Sequence, residues 1–219
     1  LQVPLDDLKA AGKASGGTVN DAFVAGVCGG LRLYHERHGA PVEELRMTMP
    51  INIRSDTTED VAGNQFVPAR FTVPVSLRDP IQRMREIHRR AGTQRREPGI
   101  ALVEEVAGVL GRFPTALSVW LFGSMLKRID FVTSNVPGPA FEIFASGARV
   151  DETYGFGPLA GAAINVTLFS YNGSAFIAVN SDRGAVPDPE VLRECLQAGL
   201  EEVIAVGKPA ARQEAAAGG

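Results

Sequence analysis

The apolar positions along the chain change their period several times, and each change marks an element. Between Asn20 and about His38, Phe23, Val27, Leu31 and Tyr34 recur at helical spacing, and Gly39 is placed to end the helix. Thr18 stands three residues before Asp21, the spacing of a capping box with Asp in the place of Glu. Gly26, Gly29 and Gly30 inside this helix each cost about 1 kcal/mol against Ala, so they predict close packing against another element. A shorter helix precedes it, starting at Asp6-Asp7 and stopped by Gly16-Gly17. From Leu45 the period drops to two. Leu45, Met47, Met49, Ile51 and Ile53 alternate with Arg46, Thr48, Pro50, Asn52 and Arg54, which predicts a strand. After a polar loop, Val67, Ala69, Phe71, Val73 and Val75 repeat the pattern. Pro50, Pro68 and Pro74 predict edges or bulges, because proline donates no ladder hydrogen bond.

Asp79-Pro80 opens a helix with the stripe Ile81, Met84, Ile87, His88 and Ala91. Helical stretches follow at 100–111 and 115–127, the second carrying Trp120 and reading as a core helix. Phe131–Val136 is a strand stopped by Pro137-Gly138-Pro139, and Ile143–Val150 reads as another. Ile164–Ser170 and Ala175–Asn180 flank Asn172-Gly173, a strong hairpin signal. Asp188-Pro189 starts the last helix, with Val191, Cys195, Gly199 and Val203 along one side. Residues 1–207 then form the domain, and the Ala/Gly-rich tail 208–219 is expected to be disordered. Mixed strands and helices predict an α/β (α+β) fold, a layered mixed sheet with packed helices.

Composition narrows the function. The 219 residues carry 22 Lys+Arg against 25 Asp+Glu, a net charge of −3, and 45% apolar residues. That is too apolar for a disordered chain and too acidic for a nucleic-acid binder. No apolar run approaches a transmembrane span. Two distant cysteines make neither a disulfide framework nor a four-ligand zinc site, so no metal is expected. The chain begins Leu1-Gln2-Val3-Pro4, with neither a Met nor the charged and apolar regions of a signal peptide. Either something was trimmed or this is a piece of a longer protein, and the expected location is cytoplasmic, with peripheral contact to membranes or lipid inclusions left open.

Candidate chemistry is sparse. His35 and His38 sit at a helix end, where cationic groups suit the dipole, and His88 borders an apolar stripe among arginines. None of the three reads as a general base. Cys28 and Cys195 fall on apolar helix faces and read as inert thiols. Seven arginines against three acidic residues over 78–97 read as the solvated back of an amphipathic helix, with a phosphate or lipid patch as the rival. Asn20-Asp21 stands at a helix start, where backbone N–H groups favour anions, although capping alone explains the pair. Thr133-Ser134-Asn135 ends a strand before a rigid break, a good place to orient a substrate. Alternation puts Thr133 and Asn135 on one face and Ser134 on the other.

Taken in order, five segments resemble the C-terminal half of the bacterial wax ester synthase/diacylglycerol acyltransferase family. They are Thr18-Val19-Asn20-Asp21 before a glycine-containing helix, Met49-Pro50-Ile51-Asn52-Ile53-Arg54, Gly63-Asn64, Ser134-Asn135-Val136-Pro137-Gly138-Pro139, and Ser170-Tyr171-Asn172-Gly173 followed by Val186-Pro187-Asp188-Pro189. The resemblance implies one lobe of a chloramphenicol-acetyltransferase-like fold and an O-acyltransferase moving a long acyl group from acyl-CoA to diacylglycerol or a fatty alcohol. It implies acyl-CoA as substrate rather than any bound cofactor, and no nucleic-acid partner. The partner would be an N-terminal lobe carrying a His-His-x-x-x-Asp-Gly base motif. This chain has no such motif, so alone it is expected not to turn over substrate. By the resemblance Asn135, Thr133 and Ser134 are the oxyanion or orienting candidates, and Asn20, Asp21, Asn52, Arg54 and Asn64 the substrate-binding ones. The alternative is a non-catalytic module that binds lipid, acyl chains or a partner. A concave or apolar exposed surface is expected near Asn20, Asn52 and Asn135, where the other lobe would dock.

Overall fold

The computed structural model describes residues 1–52, 66–95 and 129–208. The helices expected at 100–111 and 115–127, Trp120, Arg54, Asn64 and nearly all of the tail lie outside the described residues. In chain order the elements are β1 (Gln2–Pro4), α1 (Leu5–Ser15), α2 (Val19–Arg37), β2 (Glu44–Asn52), β3 (Phe66–Pro74), α3 (Pro80–Arg95), β4 (Phe131–Pro137), β5 (Phe144–Ala145), β6 (Ala148–Arg149), β7 (Ile164–Tyr171), β8 (Ser174–Ser181) and α4 (Pro189–Gly207). Six strands make one mixed sheet in the order β1-β8-β7-β4-β2-β3, and β5 and β6 pair separately. β4 lies parallel to both of its neighbours, and the remaining pairs are antiparallel. The expected layered α/β sheet is therefore what the chain forms.

Alternation decides which face is buried. Met47 and Met49 of β2, Ala69 and Val73 of β3, Phe131 of β4, Val166 and Leu168 of β7 and Ala175 and Ile177 of β8 enter one core with residues of all four described helices. The helix glycines have the packing role their cost predicts. A Cβ at Gly26 would strike Leu200, and one at Gly30 would strike Leu196, both on α4. From the other side, a Cβ at Gly199 would meet the backbone of Gly30 and Gly26. Gly29 makes room for Arg83, whose side chain is fully buried. Arg83 donates to the Ala25 and Leu77 carbonyls and pairs with Glu202, so a charge read as solvated ties α2, α3 and α4 together. Glu202 also receives Arg32, which shares Glu36. Burying such a group is tolerable here because each of its three nitrogens has a partner.

Three local expectations shift. The start of α1 has Pro4 as its capping residue and no side-chain cap, while Asp6 and Asp7 lie in the first turn beside the positive helix end. β1, three residues long, was not legible in the alternation. The strand expected over Ile143–Val150 is a short hairpin, because Ser146 (φ 50°) and Gly147 (φ 85°) turn the chain back. Asn172 and Gly173 both take positive φ, as the hairpin signal requires.

Two predictions follow from this packing. Gly199→Ala forces the α2–α4 backbones apart and lowers stability by about 2–3 kcal/mol in denaturant unfolding. Burial pushes the Cys28 thiol up to about 12, with Arg83 opposing weakly. Cys28 should resist iodoacetamide at pH 8 in the folded protein and react on unfolding; rapid native labelling would contradict its placement.

Candidate functional site

The parallel pairing of β2 with β4 covers only Met47 with Phe131 and Thr48 with Val132. On either side the ladders continue: β2 pairs with β3 through Asn52, and β4 with β7 through Pro137. The sheet thus opens between β2 and β4 at their carboxyl ends, where open α/β sheets place their ligand crevices. Pro50 explains why. The Arg46 carbonyl accepts from Asp130 N–H, and Arg46 N–H donates to the Asp130 carboxylate, so Arg46 turns its backbone toward β4. Pro50, four residues on, has the same orientation. It presents no N–H where β4 would need a donor, and the ladder ends. Pro68 and Pro74 lie on edge strand β3, as expected.

Several candidate residues meet at this opening. Thr133 continues the core-facing row of Phe131, beside Val166 of β7, and is 1% exposed. Its Oγ1 is buried with no hydrogen-bond partner among the described residues. Other buried threonines are served: Thr48 Oγ1 donates to the Ala69 carbonyl and Thr167 Oγ1 to Asn165 Oδ1. An unspent buried hydroxyl costs about 1–3 kcal/mol, so its persistence asks for a reason. Asn135 follows in the same row, half-buried and nearer the open end. Ser134 lies on the opposite face, in register with Thr167, and does not converge with the other two.

The α2 N-terminus stands over the same opening. Asn20 Nδ2 lies 3.6 Å from Met49 Sδ, just past the last residue of β2 paired with β4. Asp21 closes the capping box with Thr18. Its Oδ2 accepts from Thr18 N–H at 2.7 Å and from Thr18 Oγ1 at 2.8 Å. It also lies 2.8 Å from His88 Nδ1, so the carboxylate is spent on holding α2 to α3 rather than facing a ligand. The sequence held no signal for the Asp21–His88 pair, because the residues are 67 positions apart. Asn52 closes β2 opposite Phe66.

The other candidates are engaged elsewhere. His35 Nδ1 meets the Ala40 carbonyl, and His38 bridges the Tyr34 carbonyl and Asp188. Those bonds raise the His38 pKa, the Tyr34 carbonyl acting first and Asp188 second. Asp188 therefore makes no cap bond to α4. The arginines of α3 and of the turn before it are largely paired. Arg89 and Arg90 bind Glu86, Arg90 also binds Glu44, Arg85 reaches the Ser15 carbonyl, and Arg78 meets Glu36. Among the described residues no cluster could hold a metal ion. A cavity of about 510 Å³ lies at the other ends of these strands, lined by Leu31, Leu45, Phe131, Ile164 and Val186, and of the sequence candidates only His35 lines it.

Two outcomes test this geometry. Thr133→Val, which removes the unpaired hydroxyl and keeps the shape, should leave stability unchanged or raise it by about 1 kcal/mol, whereas Thr167→Val should lower it. Equal losses for both would mean that Thr133 is bonded. Arg89 first, then Arg90, holds Glu86 down from 4.5 to about 2. A lowered carboxylate pKa adds stability that is full above the unfolded value and is lost as pH falls toward about 2. Glu86→Gln should flatten that acid limb of a stability–pH curve.

Comparison with known proteins agrees with the fold. Residues 62–203 match the family model described as the WS/DGAT C-terminal domain. A Mycobacterium tuberculosis H37Rv protein assigned as a diacylglycerol O-acyltransferase is 39% identical over 213 residues, covering 97% of this chain and 43% of that protein. A second protein of that strain, assigned likewise, is 31% identical over 84% of this chain and 41% of its own length. The chain thus spans under half the length of these relatives. The solved wax ester synthase/diacylglycerol acyltransferase from Marinobacter aquaeolei VT8 superposes with a TM-score of 0.67 at 22% identity, over 95% of this chain and 48% of that one. An acyl transferase named PapA2 shares the fold at a TM-score of 0.53 and 14% identity, over 95% of this chain and 44% of that one. This chain belongs to the WS/DGAT C-terminal domain family.

Proposed function

We propose that this chain is the C-terminal lobe of an O-acyltransferase that moves a long acyl group from acyl-CoA to diacylglycerol or a fatty alcohol. The observation that carries the reading is the unpaired, buried Thr133 hydroxyl at the split between β2 and β4. An acceptor hydroxyl attacks the thioester carbonyl carbon and gives its proton to a base. The carbonyl oxygen takes the negative charge of the tetrahedral intermediate. The carbon–sulfur bond then breaks, forming the ester, and the thiolate of CoA leaves and takes up a proton. A donor fixed in a dry site stabilises that oxyanion without reorganising. Thr133 Oγ1 is such a donor, held by strand β4 and free of any competing acceptor among the described residues. Asn135, in the same row, orients the thioester, and Asn20 with Met49 shapes the facing wall. Asn52, Arg54 and Asn64 remain candidates for the tunnel wall or CoA.

The base is assigned to the other lobe. The His-His-x-x-x-Asp-Gly motif is absent from this chain, whose three histidines include no adjacent pair. The test joins this chain to the amino-terminal remainder of the 39% identical M. tuberculosis relative. The joined protein should release CoA from palmitoyl-CoA with diacylglycerol or hexadecanol, and this chain alone should not. Thr133→Val should lower kcat about 100-fold with little change in KM, and Thr133→Ser should restore most of it. Turnover by this chain alone, or full activity of Thr133→Val, would overturn the reading. Binding of acyl-CoA without turnover by the joined protein would favour the non-catalytic module.

A further inference from the structure

Asp21 is 3% exposed, and its Oδ2 gathers three donors. Two of them, Thr18 N–H and Thr18 Oγ1, belong to the same helix cap and move with it. The third comes from another helix. His88 of α3, with a side chain 53% exposed, places Nδ1 2.8 Å from Asp21 Oδ2. A carboxylate oxygen only accepts, so His88 Nδ1 carries the proton and donates. We propose that His88 is a positioning residue of the acyl-transfer site, which acts through Asp21 to hold Asn20 in the wall of the split. The proposal rests on the acyltransferase-lobe reading above and adds a residue of α3 to its machinery.

The surroundings are cut to fit this carboxylate. A Cβ on Gly17 would come within 2.8 Å of Asp21 Oδ2, and one on Gly12 would strike the Thr18 carbonyl. The end of α1 therefore lies directly against the cap. From the other side, α3 holds the α1–α2 connection at two points three residues apart. Arg85 Nε donates to the Ser15 carbonyl at 3.3 Å, ahead of the cap, and His88 donates to Asp21, within α2 itself. An imidazole on two rotatable bonds fixes the spacing of the two helices more closely than a long guanidinium arm.

What the clamp serves is next door in the sequence. Asn20 rides on the same turn, and its Nδ2 reaches Met49 Sδ at 3.6 Å. A thioether is a weak acceptor, so that contact does not place Asn20 by itself. The helix turn that carries Asn20 places it, and Asp21 places the turn. Met49 is 4% exposed and directly precedes Pro50, the residue that ends the β2–β4 ladder. Without His88, Asp21 is a nearly buried charge whose listed donors all come from Thr18. Hydrating such a charge draws the cap outward, and Asn20 leaves Met49 with it.

Kinetics separate this role from that of Thr133. A wall that holds the acyl donor equally before and during reaction sets KM, whereas an oxyanion donor sets kcat. In the joined protein described above, His88→Leu should raise KM for palmitoyl-CoA about 5–10-fold and keep kcat within about twofold. His88→Asn should restore KM, because its amide nitrogen falls where Nδ1 stood. His88→Gln, whose amide nitrogen falls near the place of Nε2, should not. The chain alone gives a readout that needs no turnover. With isotope-labelled methyl groups its four methionines give four signals. His88→Leu should move the Met49 signal by more than its line width and leave that of Met47 in place, and His88→Asn should return it. If the Met49 signal stays put while the joined protein makes ester, the positioning proposal falls and the acyltransferase reading stands. An equal loss of kcat in all three variants, with KM unchanged and a lowered melting temperature, would make His88 a fold-stabilising residue only and overturn the proposal. If the Met49 signal moves but the unaltered joined protein makes no ester, the acyltransferase reading falls, and with it any reaction for His88 to serve.

Discussion

A single missing hydrogen-bond donor shapes the carboxyl ends of β2 and β4. β2 and β4 begin as a parallel pair, and Pro50 reaches the β4 side of its strand without an N–H to offer. β3 and β7 hold the two strands on their outer sides beyond that point, so neither collapses and the sheet parts. Thr133 lies beside the opening with its hydroxyl unpaired among the described residues. In a sheet continuous past Pro50, that side chain would be one more core threonine.

The remaining packing serves to keep the opening in shape. The glycine-lined crossing of α2 and α4 brings two backbones into contact, and Arg83 locks α3 to both through Glu202. These contacts are rigid because small volume changes in such an interface are costly. At the far end of α2 the Thr18–Asp21 box and His88 fix the first turn, which places Asn20 against Met49. A carboxylate that sequence reasoning offered as a ligand thus works as a joint, and the neighbouring asparagine is the one that reaches the crevice.

Much of the fold was legible because its signals are local. The capping box, the helix glycines, the Asn172-Gly173 turn and the alternation of β2, β3, β4, β7 and β8 each declare themselves within a few residues. β1 was not, since three residues held by Ala175 and Phe176 carry no periodicity of their own. Arg83 was read as part of a solvated cluster because its partners, Ala25, Leu77 and Glu202, are spread across the chain. Of the site, strand alternation separated Ser134 from Thr133 and Asn135, and the prolines were read as marking edges or bulges, which fits edge strand β3, whereas Pro50 lies in interior strand β2. What sequence could not supply was the side of β2 on which Pro50 falls, because that depends on long-range register with β4. It also could not show that one buried threonine of several is left without a partner among the described residues.

The central claim is that the split between β2 and β4 receives the reacting carbonyl. A crystal structure of the two-lobe protein with a non-hydrolysable palmitoyl-CoA thioether ketone would test it most directly. The account predicts the ketone oxygen about 2.7–3.1 Å from Thr133 Oγ1, between the diverging strands. A ketone oxygen bound away from the split, with Thr133 still unpaired, would contradict it.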